Sequence, residues 1–143
     1  MIPRTTLGEV LGRIGELADE AGLRVANVFH AGDGNLHPLV LYDDAGEGQA
    51  ERAEKLATQI IELCVEYGGS ITGEHGVGRD KQCSMPMMFT DEDLEVMDRV
   101  RSAWDPAGIC NPGKVFPTPR LCGERPGPYK PHPLEAAGVI GRG

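Results

Sequence analysis

An α+β fold, an antiparallel sheet with packed helices followed by a further helical segment and an extended tail, is what this sequence predicts. Three observations predict it. Two stretches repeat apolar residues at helical spacing, one of them Leu7, Val10, Leu11, Ile14, Leu17 and Ala18. Between them, two β-rich runs flank a turn made of Gly, Asp and Asn. Near the end, six prolines fall within residues 117–133, a density that no packed element tolerates. The 143 residues suit one domain or part of one, and 40% hydrophobic with 25% charged residues is ordinary for a water-exposed chain.

The first segment opens on Thr6 and Glu9, spaced as a capping box, and stops at Gly22. Gly8, Gly12 and Gly15 weaken its intrinsic propensity, so this helix depends on tertiary packing. Arg24 to His30 and Leu36 to Tyr42 then read as two strands around the turn 31–35. A hairpin with His30 opposite His37 places Ala26, Val28, Leu39 and Leu41 on the histidine face, and Val25, Phe29, Val40 and Tyr42 on the other. Both faces are apolar, so the expectation is a sheet covered on both sides. After a polar turn at 43–48, a long helix carries Ala53, Leu56, Ile60, Cys64 and Tyr67 on one stripe and ends at Gly68-Gly69. Ser70-Ile71-Thr72 is short and β-like. Thr90 caps a third helix through Leu94, Met97, Val100 and Trp104, closed by Asp105-Pro106.

Charge and cysteine usage exclude several classes. With 14 basic and 22 acidic side chains the net charge is −8, and no basic stripe exists for a phosphate backbone, so no nucleic-acid partner is expected. No apolar run is long enough to cross a membrane. The cysteines at 64, 83, 110 and 122 contain no C-x-x-C pair, the wrong spacing for a zinc ribbon or an iron–sulfur cluster, and free thiols are expected. Met85, Met87 and Met88 read as packing residues, and Gly73, Gly76 and Gly78 do not form a phosphate-binding motif.

Chemistry concentrates in two glycine-rich segments. His30 and His37 flank the turn, and cross-strand neighbours lie about 5 Å apart, close enough for two imidazoles to meet one ion. Glu74 supplies a carboxylate, and two neutral imidazoles with one carboxylate form a common set for zinc, iron or manganese that leaves positions open for catalysis. His75 is adjacent to Glu74, so in extended backbone it points the other way. The plain alternative, histidines that are merely hydrogen-bonded at strand ends, stands beside the metal reading. Asp33 and Asn35 read as turn formers, and His132 in the tail as inert.

Three segments in order, Val28 to Pro38, Gly73 to Gly78 and Asp105 to Lys114, resemble the FAD-linked oxidase C-terminal domain family over about residues 3 to 122. Within that family the chain is most similar to the glycolate oxidase branch, a relative of D-lactate and D-2-hydroxyglutarate dehydrogenases. The resemblance implies the ferredoxin-like half of a cap domain. Residues 1–89 would form its C-terminal part with the metal site, 90–117 a helix and turn packing toward a flavin domain, and 118–143 a proline-rich tail. It implies His30, His37 and Glu74 as ligands of a divalent metal and His75 as general base, with Asn111 and Lys114 in contact with FAD. The second metal histidine is followed by Pro38-Leu39, where lactate and hydroxyglutarate relatives carry Leu-Asn, which favours the glycolate-type branch.

The resemblance further implies that most of the FAD is held by a domain that precedes this region, so a C-terminal fragment is expected. The expected activity is that of an intact FAD-dependent dehydrogenase of a small 2-hydroxy acid. Its partners would be FAD-binding and iron–sulfur subunits, and its location cytoplasmic, peripheral to the inner membrane through that complex. The alternative is a truncated, non-catalytic metal-binding or assembly module.

Overall fold

The structure, a computed structural model, describes residues 1–117. The proline-rich tail, Cys122 and His132 lie outside the described residues. A 3-10 turn at Arg4–Thr6 leads into α1 (Leu7–Ala21), followed by β1 (Arg24–His30), β2 (Asn35–Leu41) and α2 (Gln49–Glu66). A second 3-10 turn (Gln82–Met87) precedes α3 (Asp91–Trp104). The arrangement is α+β: β1 and β2 form an antiparallel pair, and α1 and α2 pack together against it.

The core lies between α1, α2 and one sheet face. Val10 and Ile14 of α1 meet Leu56 and Ile60 of α2, and Val25, Leu36 and Val40 close the layer from the sheet. Ile14 and Leu56 have no exposed surface, and burying each side chain is worth about 1.5–3 kcal/mol. Gly22 ends α1 in the left-handed region at φ +65°, where its N–H meets the carbonyls of Ala18 and Asp19.

Several expectations are corrected. Thr6 makes no capping box. The 3-10 turn before it puts its own backbone in a helical conformation, and its hydroxyl donates to Pro3 O at 2.8 Å. The register pairs His30 with Asn35 and His37 with Val28, so the two histidines are diagonal neighbours on one face and not directly opposed. The connection is four residues, 31–34, where pairing His30 with His37 leaves six, and that two-residue difference moves the pairing while keeping each side chain on its face. Among the described residues, only one face of the sheet is covered: on the histidine face Val28, Leu39 and Leu41 remain 45–54% exposed. The helices lie on the other side. Ser70 to Thr72 forms no strand, although Ser70 N–H bonds Met1 O at 2.8 Å. Cys83 is disulfide-bonded, whereas Cys64 and Cys110 are free. Linear spacing does not reveal which thiols meet in space.

The chain's start stitches the two glycine-rich segments together. Ile2 N–H donates to Gly34 O at 2.9 Å, while Met1 O accepts from Ser70 N–H. Gly34 has φ +76°, and a Cβ there would stand 2.0 Å from Ile2 O, so only glycine permits this seam.

Candidate metal centre

The hairpin delivers two imidazoles to one place because β1 ends at His30 and β2 begins two residues before His37. Diagonal partners across an antiparallel pair are about 7–8 Å apart at the backbone, within reach of long side chains. The two rings meet edge to face with centroids 5.3 Å apart. Glu74 reaches the same point from the second segment: its Oε1 stands 2.9 Å from His37 Nε2 and 3.7 Å from His30 Nε2. One ligand atom from each of the three residues lies within 4.8 Å of the others.

That donor set fits a divalent ion. Two donors each about 2.1 Å from an ion at a tetrahedral angle lie about 3.4 Å apart, and the observed 2.9 and 3.7 Å bracket that spacing. Imidazole nitrogen and carboxylate oxygen suit zinc, iron or manganese. The side chains of His30 and Glu74 are 60% and 52% exposed and that of His37 only 21%, so the cluster is open on one side.

Asn35, read from the sequence as a turn former, belongs to the site. It is 5% exposed, and its Nδ2 donates to Glu74 Oε1 at 2.9 Å and lies 3.5 Å from His37 Nε2. Asp33 makes the turn instead, its carboxylate accepting Asn35 N–H at 2.9 Å. Gly73 leaves room for this amide: a Cβ would sit 2.1 Å from Asn35 Oδ1 and displace it. The sequence signal for Asn35 was its position two residues from His37, on the same strand face.

His75 is not among the clustered donors, yet it is not turned fully away. Residues 73–75 form a bend rather than extended backbone, and its ring lies against His37 with centroids 5.1 Å apart. Among the described residues no hydrogen bond engages its imidazole, which leaves a nitrogen lone pair free.

Asn111 and Lys114 occupy a separate cleft of about 570 Å³, lined also by Arg79, Arg101 and Trp104. Arg101 holds this segment by donating to the carbonyls of Cys110, Asn111 and Lys114. Val115, at a strained φ of +73°, donates its N–H to Gly78 O at 2.7 Å. The terminal segment therefore returns to the loop that carries Glu74 and His75, without joining the metal cluster. Arg79 and Lys114 bring positive charge to this cleft beside the Asp105 carboxylate, while the Arg101 guanidinium is taken up by the backbone carbonyls.

Comparison with known proteins yields related sequences. Residues 1–115 match the family described as FAD linked oxidases, C-terminal domain. The glycolate oxidase subunit GlcD of Escherichia coli (strain K12) is 51% identical over 123 residues, 86% of this chain and 25% of that protein. The GlcD subunit of Bacillus subtilis (strain 168) is 37% identical, over 80% of this chain and 24% of its own length. The mitochondrial D-lactate dehydrogenase [cytochrome] of Arabidopsis thaliana is 35% identical, over 85% and 21%. The chain thus spans about a quarter of the length of the curated relatives it matches.

Proposed function

Since the chain belongs to the FAD-linked oxidase C-terminal domain family, we propose that it carries the metal ligands and general base of an FAD-dependent dehydrogenase of a small 2-hydroxy acid, of the glycolate or D-lactate type. The observation that carries this reading is the convergence of His30, His37 and Glu74, with His75 against His37 and outside the donor set.

When bound, a divalent ion lowers the pKa of a coordinated hydroxyl and a flavin accepts the electrons of the adjacent C–H bond. The chain's own residues do the rest. His30, His37 and Glu74 hold the ion and leave its remaining positions to substrate. Asn35 fixes the Glu74 carboxylate. His75 takes the hydroxyl proton on its free nitrogen, a contribution of about a hundred- to ten-thousandfold in rate. A metal-bound imidazole has no lone pair left to accept a proton, so ligand and base are different histidines. Asn111 and Lys114 contact the flavin cofactor, most of which is held outside this region. FAD-binding and iron–sulfur subunits complete the electron path. A location in the cytoplasm, peripheral to the inner membrane, belongs to the same proposal and rests on the family reading; no helix among the described residues is long and apolar enough to cross a membrane.

The test is elemental analysis of the purified chain. Equimolar zinc, iron or manganese is expected, with reduced occupancy in Glu74→Gln and in His30→Ala. Unchanged metal content in both variants would overturn the reading.

A further inference from the structure

A second cleft, of about 280 Å³, opens beside the metal cluster between β2, α2 and the loop after α2. Its walls include Ile60 and Cys64 from α2, and His37, Thr72, His75 and Lys81 reach it from the site side. The volume is close to the lower end of pockets that enclose small molecules, about 300 Å³, and far too small for a dinucleotide.

Two polar groups in this cleft have nothing to answer them. Lys81 is half-buried, and among the described residues its ammonium has neither a carboxylate within ion-pair distance nor a hydrogen bond. The Thr72 hydroxyl is buried with no hydrogen-bond partner. Long cations are normally left in water unless something pairs them, and a buried hydroxyl without a partner is costly. The ammonium can only donate and the hydroxyl has a proton to give, and they line one cleft with two site histidines. What satisfies both is an acceptor with negative charge. The Cys64 thiol in the wall is pushed up by burial, so it stays neutral and does not repel an anion.

We propose that Lys81 and Thr72 form the subsite that receives the carboxylate of the substrate, orienting a small 2-hydroxy acid so that its hydroxyl faces His75 and the metal cluster. The subsite rests on the function proposed above for the identity of the acid. A carboxylate offers two oxygens and about four lone-pair sites, enough to meet an ammonium and a hydroxyl and still turn toward the histidines. The apolar wall by Ile60 leaves room for a short alkyl group and rejects a second charge.

The test is a titration of the isotope-labelled full chain with sodium glycolate, followed by amide chemical shifts, with ethylene glycol as a neutral counterpart of similar size. Glycolate is expected to shift Gly73, His75 and Lys81, and ethylene glycol to leave them in place. Lys81→Met should weaken glycolate binding about tenfold or more, Lys81→Arg should largely restore it, and Thr72→Val should weaken it by a smaller factor. Wild-type affinity in Lys81→Met, or equal shifts from the neutral diol, would overturn the subsite. Running each titration with and without zinc separates the two proposals. Lys81-dependent glycolate binding in a chain that takes up no zinc supports the subsite and defeats the metal reading. Zinc uptake with glycolate affinity indifferent to Lys81 does the reverse.

Discussion

Asn35 donates its side-chain amide to Glu74, a residue 39 positions away, and among the described residues that carboxylate is otherwise held only by His37 at 2.9 Å and, more loosely, His30 at 3.7 Å. Removing the amide frees Glu74 to turn outward, because more than half of its side chain is already exposed. Asn35→Ala should therefore lower metal affinity by about 10–100-fold, the usual effect of losing a group that orients a ligand, as read by competition with a chelator. His75→Asn should behave oppositely: metal content stays at the wild-type level, while flavin reduction in the intact enzyme slows by about a hundredfold or more. Loss of metal in that variant would instead make His75 an orienting residue. The donors His30, His37 and Glu74 were legible in the sequence because glycine-rich segments have no packing reason to hold them. Asn35 was not, because an asparagine beside a turn is already explained by the turn, and only the structure shows Asp33 doing that task.

Two threonines with the same apparent pattern end up in different chemistry. Thr90 caps α3 with extended backbone, accepting Asp93 N–H while Asp93 accepts Thr90 N–H. Thr6 has no such freedom, since the 3-10 turn from Arg4 has already made its backbone helical. The capping pattern is local, and what precedes it decides whether it forms. Because α3 has no buried residue, its stability is largely its own. Thr90→Ala should cost about 1 kcal/mol, visible as faster amide exchange in α3 with α1 and α2 unchanged. At its other end, N–H groups of Cys110 and Ile109 hold the Asp105 carboxyl below its ordinary value of 3.8. A depressed carboxyl stabilises its turn above the unfolded value, and that support fades as pH falls through the folded one. The amide shifts of Ile109 and Cys110 should thus hold steady near neutrality and move only as pH falls below the carboxyl's ordinary value of 3.8, and Asp105→Asn should abolish that step.

For the molecule as a whole, the layer between α1, α2 and one sheet face is where global stability resides. Leu56→Ala should cost about 2–5 kcal/mol in urea unfolding, with α1, α2 and the hairpin losing amide protection together. Helix periodicity made the α1 and α2 stripes readable in advance, and strand alternation correctly sorted residues between the two faces. Alternation could not say which face is covered, because that depends on elements far away in sequence. The uncovered face is the one that carries His30 and His37 together with Val28, Leu39 and Leu41. Anything that shields those apolar side chains also strips water from the cluster, and charge interactions at a 4 Å separation rise from about 1 kcal/mol in bulk water to about 4 kcal/mol at an effective dielectric constant of 20. The site's field strength is therefore set from outside the hairpin: a loosely polarising centre while water bathes it, and a strongly polarising one once that face is dry.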